Sequence, residues 1–410
     1  MKAGTQVIVA LVLATALGLG VAASGQASLL SAVDLLTPIG SLWVNAIRMT
    51  VIPLVVSLVT LGVASASEDS SMRAVTTRTM IVFVALLLAV AAIAVPLAPL
   101  AFSGLAPNGT VVLPAGAVEA AKQVGASATA TSLGAFVQSL LPSNPVAAAA
   151  NGAMLPLVLF TIVFAIAVSR LPSAQRAPLL EVVRAVGDAM QLVVRGVIAL
   201  APIGVFALVA PLAAHSGASF VGAIGLYIVI YSAAMIVASL LLYPIVKLFT
   251  GMPITAFAAG VLPVQLIALT SSSSLASLPA MVEAANGPLK LPRRAASVVL
   301  PLAVSTFKFA SPVAWSIGAC FIAWFYGIPL HARELSIVAF ASVFLSFAAP
   351  GVPNGAFLLL TPLFVQIGLP AEGVGVLIAL DAIPDRFSTV LNVTGDVAAA
   401  AIVIGRQREN

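Results

Sequence analysis

Long apolar runs, separated by short groups of charged or turn-forming residues, dominate the first 250 positions of the chain. Residues 6–33 and 81–118, for example, contain no ionised side chain. A hydrocarbon core about 30 Å thick needs about 20 apolar residues in a helix. The pattern therefore predicts helices that span a membrane and are bounded by charges or by Pro and Gly. We place them near residues 6–24, 38–65, 79–102, 152–169, 186–213 and 219–246.

The first run also has features of a cleaved signal peptide. Lys2 precedes it, and the small residues Ala22-Ala23-Ser24 follow it. The apolar stretch is long for a signal, however, and another spanning segment follows at once. These two features favour a first transmembrane helix.

The pattern changes after residue 252, where two apolar stretches are interrupted near their middle. The stretch at 255–287 is broken by Ser271–Ser274, and the stretch at 335–369 is broken by the sequence APGVPNG at 349–355. Irregular backbone at membrane depth survives only where protein or a water-filled cavity satisfies it. We therefore predict two re-entrant helical hairpins with their tips near the midplane.

Each predicted hairpin is followed by a helix in which a proline lies beside ionisable residues. The helix at 294–325 contains Lys308 and Pro312, and the helix at 372–406 contains Asp381, Pro384 and Asp385. A hairpin and a broken helix thus occur twice. Such an inverted repeat indicates the binding site of a secondary transporter.

Composition and charge agree with a membrane protein. Apolar residues make up 61% of the 410 residues and charged residues 8%, which excludes a soluble globule. One cysteine, Cys320, excludes a disulfide-stapled secreted protein. The net charge of +5 comes from basic residues that occur singly, so they do not form a nucleic-acid patch.

The basic residues also predict the orientation in the membrane. With the amino terminus inside, only Lys122 and Arg333 fall on the outer side, as the positive-inside rule requires. Twelve fall on the cytoplasmic side: Lys2, Arg73, Arg78, Arg170, Arg176, Arg184, Lys247, Lys290, Arg293, Arg294, Arg406 and Arg408. We expect a multi-pass protein of the cytoplasmic (inner) membrane. Lys308 and Arg386 remain within helices, too deep for simple snorkelling.

The last helix carries a polar stripe. Its members are Asp381, Asp385, Ser388, Thr389, Asn392 and Asp396. At about 100° per residue these positions share an arc of about 100°. Charged groups at membrane depth are costly and usually line a cation or substrate pathway. The alternative is a structural polar seam between helices. The hairpin tips add half-helix N termini and the hydroxyls of Ser271–Ser274, which suit a carboxylate.

Several segments in order resemble one known family, the glutamate/aspartate transporters (dicarboxylate/amino acid:cation symporters). NAIRMTVIPLVVS (45–57) is similar to the second helix of that family. The segments 140–168 and 201–210 are similar to its fourth and fifth helices. The serine tip, PGVPNGA and DAIPDRFSTVLNVTGDVAAAAIV (381–403) are similar to its two hairpins and eighth helix.

The resemblance implies an all-α polytopic fold of eight transmembrane helices and two re-entrant hairpins with inverted repeats. It implies a homotrimer whose scaffold is formed by residues 1–70 and 150–215, helices 1, 2, 4 and 5. Residues 71–149 and 216–410 would form a transport domain that moves like an elevator. This domain would hold helices 3 and 6, hairpin 1, helix 7, hairpin 2 and helix 8, with an extracellular loop near 103–150.

The resemblance also implies roles for individual residues. Asp385 would bind the substrate ammonium, and Thr389 and Asn392 would contact substrate. The two tips would bind the α-carboxylate, and Asn392 with Asp396 would contribute to a sodium site. The substrate-binding candidates are Ser271, Ser272, Ser273, Ser274, Ser311, Val352, Pro353, Gly355, Asp385, Arg386, Ser388, Thr389 and Asn392.

The chain also departs from the family pattern. Phe307-Lys308-Phe309-Ala310-Ser311 stands where the family has Asn-Met-Asp-Gly-Thr, so two sodium-ligating side chains are replaced. Residues 81–102 contain no hydroxyl for the deepest sodium site. Ser388 replaces the arginine that binds an acidic substrate side chain, while Arg386 matches a second arginine of animal members. We expect Lys308, with Asp381 or Asp396, to take part in coupling as a fixed ammonium or as a proton carrier.

The sequence thus predicts a symporter of a small amino acid or dicarboxylate that needs no cofactor. Its coupling ion would be a proton or none, with sodium as the ordinary alternative. A binding or sensing relative without transport activity and an anion channel stay open. A membrane enzyme is disfavoured because His215, His331 and Cys320 have no catalytic partner nearby in sequence.

Overall fold

The fold is known from a computed structural model that describes residues 3–65, 73–105, 141–151, 153–347 and 360–405. Within these ranges every regular element is a helix, which confirms the predicted all-α class. The helices are α1 (Ala3–Ser24), α2 (Ala27–Asp34), α3 (Thr37–Ser65), α4 (Arg73–Leu97), α5 (Pro145–Ala150), α6 (Met154–Ser169), α7 (Ser173–Ala199), α8 (Ala201–Ser216), α9 (Ala218–Thr250), α10 (Ile254–Ser271), α11 (Ser274–Asn286), α12 (Arg293–Thr306), α13 (Ser311–Tyr326), α14 (Ala332–Ser346), α15 (Leu360–Gln366), α16 (Ala371–Leu380) and α17 (Pro384–Gly405).

Seven described helical segments are long and apolar enough to cross a membrane, so the chain is polytopic. They are Thr5–Ser24, Ala27–Gly62, Ala74–Ala101, Ala218–Thr250, Ile254–Ser271, Ala295–Tyr326 and Pro384–Gly405. An eighth span is obtained if α7 and α8, which are bent by 51° relative to each other, count as one.

That bend corrects one predicted boundary. Residues 186–213 were expected to form a single helix, but α7 ends at Ala199 and α8 starts at Ala201. Pro202 lies in the first turn of α8, where a missing N–H costs nothing. The same ring would clash with a carbonyl of the preceding turn in a straight helix. The apolar pattern runs through the bend without a change and did not reveal it.

One group of helices packs around α3 and α8. Helix α1 lies along α8, and α3 contacts α6, α7 and α8. The indole Nε1 of Trp43 in α3 donates a hydrogen bond to the Val197 carbonyl of α7 at 3.0 Å. A Cβ added to Gly204 would lie 2.1 Å from the Trp43 ring. A glycine is therefore required where this indole crosses α8, in line with the small residues that membrane helices use at close crossings.

A second group of helices packs around α17. Helices α4, α9, α10, α11 and α12 contact it, and most of α17 is buried. Helices α10 and α11 pack against each other and meet at Ser272, whose φ of 51° is left-handed. The serine run therefore turns the chain where the sequence predicted a tip. The second predicted tip at 349–355, between α14 and α15, lies outside the described residues, as does most of the predicted loop near 103–150.

Both predicted broken helices are interrupted next to a proline. Helix α12 ends at Thr306 and α13 begins at Ser311, with Pro312 in its first turn. Helix α16 ends at Leu380, and α17 begins at Pro384. Pro cannot donate a backbone hydrogen bond and is tolerated best at a helix start. Each proline thus favours a new helix start at its position.

The close contact at Gly204 gives a first prediction. Gly204→Ala should lower the thermal unfolding temperature in detergent, because the new methyl group overlaps the Trp43 ring and overpacking costs about 1–3 kcal/mol. Gly222→Ala in α9 is the matched control, since nothing lies within 4 Å of its added Cβ. Fluorescence-detected size exclusion after heating measures both. An unfolding temperature for Gly204→Ala equal to that of the control would contradict the packing described.

Candidate substrate and cation site

The polar stripe of α17 faces the interior of the second helix group. Ser388 and Thr389 are buried, Asp396 is fully buried, and Asp385 and Asn392 are partly exposed. Asp385 lies in the first turn of α17, where the helix dipole favours a carboxylate. The Ser388 hydroxyl lies 3.0 Å from the Asp385 carbonyl and 3.3 Å from its Oδ1. The stripe therefore presents one accessible carboxylate near the start of the helix and one enclosed carboxylate deeper in it.

Lys308 lies in the break between α12 and α13. Phe307, the residue after the end of α12, has an extended backbone conformation, and Lys308 follows it. The ammonium Nζ of Lys308 donates a hydrogen bond to the Val304 carbonyl in the last turn of α12 at 2.6 Å. The side chain is 8% exposed. Its positive charge thus lies at the carbonyl end of a half-helix, the type of position at which transporters coordinate cations.

Asn392 connects this break to α17. Its Oδ1 accepts a hydrogen bond from the Ala310 backbone N–H at 2.9 Å. Phe309 packs closely on the same helix, because a Cβ added to Gly395 would lie 2.8 Å from its Cβ. One backbone donor freed by the break is therefore satisfied by the stripe. This contact gives Asn392 a structural role beside the substrate and sodium roles implied by the resemblance.

Asp396 has no direct partner in the described part of the chain. Both of its carboxylate oxygens are buried and accept no hydrogen bond there. Lys308 interacts electrostatically with Asp396 and with Asp385, at more than the 4.0 Å of a direct ion pair. An uncompensated buried carboxylate is strongly destabilising. The Lys308 ammonium is the buried cation that acts on it.

Asp381 lies apart from Lys308. It is 2% exposed, and its Oδ1 has no hydrogen-bond partner among the described residues. Its electrostatic neighbours are Asp385 and two tyrosines of α9, Tyr227 and Tyr231. Lys308 was expected near Asp381 and Asp396, and the structure instead brings it near Asp396 and Asp385. The two tyrosines were missed, although their i, i+4 spacing in an apolar helix is a visible signal.

The serines of the first tip mainly organise the tip itself. Ser273 caps α11 by accepting a hydrogen bond from the Ala276 N–H at 3.2 Å. The Ser271 hydroxyl accepts one from the Ser273 N–H at 3.3 Å. Ser272 and Ser274 are partly exposed beside them. Helix α11 contacts α17, so α11 and the tip at its N-terminal end belong to the same helix group. The positive end of the α11 dipole therefore lies at this tip.

The remaining candidates lie in different surroundings. Ser311 is buried at the start of α13, and Arg386 is exposed beside Asp385, with which it interacts electrostatically. Val352, Pro353 and Gly355 lie outside the described residues. Among the described residues no cluster of three His, Cys, Asp or Glu side chains could hold a metal ion.

A hydrogen-bonded chain that the sequence analysis missed ties the first hairpin to its neighbours. Gln265 of α10 donates to the Thr394 hydroxyl of α17 at 2.9 Å, and the Tyr243 hydroxyl of α9 donates to the Gln265 carbonyl at 3.3 Å. A lone glutamine in an apolar run was the only signal. This chain holds one arm of the hairpin against α17 two residues before Asp396.

Comparison with known proteins agrees with this architecture. The model of the sodium:dicarboxylate symporter family matches residues 4–405. The proton/glutamate-aspartate symporter of Escherichia coli (strain K12) is 28% identical over 378 residues, which cover 90% of this chain and 85% of that protein. The proton/sodium-glutamate symport protein of Bacillus subtilis (strain 168) is 28% identical over 371 residues, with the same coverage. The neutral amino acid transporter B(0) of Oryctolagus cuniculus is 27% identical over 430 residues, covering 97% and 78%.

The match over nearly the whole chain, together with the apolar spans, identifies a multi-pass transporter of the inner membrane and not an enzyme. It also confirms the family resemblance found in the sequence. The three relatives named above are a proton symporter, a proton/sodium symporter and a neutral amino acid transporter.

The contact between Asn392 and the helix break gives a second prediction. Asn392→Ala should destabilise the protein by about 1–3 kcal/mol, because the Ala310 N–H would lose its acceptor. Thermal unfolding in detergent without substrate measures this effect separately from ligand binding. Ser305→Ala is the control, since that exposed hydroxyl bonds only to Pro301 in its own helix. Equal unfolding temperatures for the two variants would show that Asn392 does not secure the break.

Proposed function

We propose, starting from the fact that the chain belongs to the sodium:dicarboxylate symporter family, that it is a secondary symporter of a small α-amino acid that does not require sodium. The observation that carries this proposal is the position of Lys308. Its ammonium lies at the carbonyl end of α12 and acts on Asp396 and Asp385. The chain thus supplies its own cation where a transporter would otherwise bind one.

The substrate is proposed to bind at the start of α17. Asp385 is partly exposed and carries the charge that an α-ammonium group needs. The N-terminal end of α11 at the first tip supplies backbone N–H groups and a positive dipole for the α-carboxylate. Thr389 and Asn392 lie one and two turns further along α17 on the same face. An amino acid satisfies both charged ends of this site better than a dicarboxylate does.

A neutral side chain is favoured over an acidic one. Ser388 cannot form the bidentate pair that a guanidinium makes with a carboxylate. Arg386 is exposed and lies off the stripe by about 100°. The similarity to the neutral amino acid transporter B(0) agrees with this choice, while the similarity to the glutamate-aspartate symporter keeps acidic amino acids as the alternative.

Sodium independence follows from the charge balance of the break. Relative to the family pattern, Phe309 removes an acidic cation ligand and Lys308 adds a positive charge. The Lys308 ammonium donates a hydrogen bond to the Val304 carbonyl, which would otherwise be free to coordinate a metal ion. It also interacts electrostatically with the buried Asp396. A sodium ion placed beside this ammonium would be repelled. Lys308 is therefore proposed to act as a fixed ammonium.

The two helix groups support the proposed division into scaffold and transport domain. The group around α3 and α8 contains α1, α2, α6 and α7, and the group around α17 contains α4 and the helices from α9 onward. They meet through α16 against α8 and through α14 against α6. We propose that the first group forms the centre of a homotrimer and that the second group moves as the elevator.

The substrate assignment gives a third prediction. Asp385→Ala should weaken amino-acid binding at least about tenfold, because the charge partner of the substrate ammonium is removed. Ser388→Arg should shift preference from neutral towards acidic amino acids. A thermal-shift titration with alanine, serine, aspartate and succinate measures both effects. Asp188→Ala, an exposed position of α7, is the control. Unchanged binding in Asp385→Ala would remove Asp385 from the site.

The coupling assignment gives a fourth prediction. In proteoliposomes, uptake by the natural protein should be equal in sodium and choline buffers and should change with pH. Lys308→Met should lose uptake in choline at least about tenfold, because Asp396 loses the cation that compensates it. Lys308→Arg should retain part of it.

The control for this variant is Lys247→Met, which removes an exposed lysine at the end of α9. Uptake that strictly requires sodium, with a steep dependence on its concentration, would overturn the proposal and establish ordinary sodium coupling. Substrate binding without any flux would instead indicate a binding or sensing relative.

A further inference from the structure

Three carboxylates lie on the stripe of α17 and on the break before it, and two of them have a cation to balance them. Lys308 acts on Asp396 and Asp385, and the substrate ammonium is assigned to Asp385 under the proposed function. For the third carboxylate, Asp381, no cation is assigned among the described residues. It lies in the break between α16 and α17 and is 2% exposed.

The surroundings of Asp381 contain no positive charge among the described residues that act on it. The titratable groups that face it are Tyr227 and Tyr231 from α9 and Asp385 from α17. The cations Lys308 and Arg386 act on Asp385. Tyr231 also interacts with Ser388, which lies on the same face of α17 as Asp385. Among the described residues, an ionised Asp381 would thus meet a second carboxylate and two hydroxyls.

Two polar atoms at this place lack a partner in the described part of the chain. The Oδ1 of Asp381 accepts no hydrogen bond, and the fully buried hydroxyl of Tyr227 makes none. Tyr227 packs against Phe321 of α13 with ring centroids 4.6 Å apart, so its ring is held in position. The unsatisfied carboxylate oxygen and the unsatisfied hydroxyl belong to two groups that interact electrostatically between the break and α9.

We propose that Asp381 is the proton-binding group of the transport cycle and that Tyr227 is its positioning residue. While the site is open to one side, Asp381 binds one proton from solution, and it is enclosed as a neutral carboxylic acid in the closed arrangement. When the site opens to the other side, water reaches the group and the proton leaves. This proposal deepens the proposed function, since it names the ion that replaces sodium in coupling.

A proton fits this place better than any larger ligand. Asp381 and Tyr227 are closed to solvent, and the Tyr227 ring is enclosed by α13. A buried carboxylate without a cation neutralises by binding a proton rather than staying charged. Each carboxylate then has a different compensating charge: Asp396 has the lysine, Asp385 has the substrate, and Asp381 has the proton.

Infrared difference spectroscopy of the purified protein tests proton binding without any transport. Raising the pH should remove the carbonyl stretching band of a protonated carboxylic acid, and Asp381→Asn should lack that band. Asp188→Asn, on an exposed face of α7, should keep it. As the positioning residue, Tyr227 would donate its hydroxyl to the protonated carboxyl, so Tyr227→Phe should move the band to higher frequency. A band that survives in Asp381→Asn overturns the proposal.

Exchange of labelled amino acid in proteoliposomes tests the role in transport. Since the protonated form is the competent one, exchange by the natural protein should fall as pH rises. Asp381→Asn is permanently neutral, so the exchange rate measured for this variant should lose most of its pH dependence. A natural pH profile in that variant would overturn the proposal. Absence of exchange in the natural protein would refute the proposed function instead, and the infrared result would still decide whether Asp381 binds a proton.

Discussion

The structure depends on one constraint of the membrane interior: backbone and charged groups freed by a helix break must be satisfied by the protein itself. The break at Phe307–Ala310 meets this constraint in two ways. Asn392 of α17 accepts the Ala310 N–H, and Lys308 places its ammonium on the Val304 carbonyl. The helix break, the polar stripe and the buried cation therefore belong to a single arrangement.

The same constraint governs the charges. A buried carboxylate without compensation is destabilising, so an acidic stripe requires positive charge. In this chain part of that charge is covalently attached as Lys308, and under the proposed function the rest comes with the substrate and with protons. Because Lys308 is part of the chain, its charge cannot be released after transport as a bound ion can. Charge compensation by Lys308 is therefore permanent, whereas coupling must be reversible.

Much of the fold could be predicted from the sequence, because long apolar runs, interrupting serines and prolines have few alternatives in a membrane. The stripe from Asp385 to Asp396 followed from helical spacing alone, whereas Asp381, predicted on the same helix, lies in the break before α17. The bend at Leu200 did not, since the apolar pattern is the same on both sides of it. Tyr227, Tyr231 and Gln265 were missed because their partners lie on other helices. The preference of Lys308 for Asp396 and Asp385 over Asp381 also depends on helix packing that no local pattern encodes.

The most direct test of the central claim is the amino-acid accumulation that each ion gradient drives in proteoliposomes with the membrane potential held at zero. If Lys308 has replaced the sodium ion, an inward sodium gradient at equal pH should drive no accumulation. An inward proton gradient without sodium should drive it. Accumulation driven by the sodium gradient alone would contradict the account.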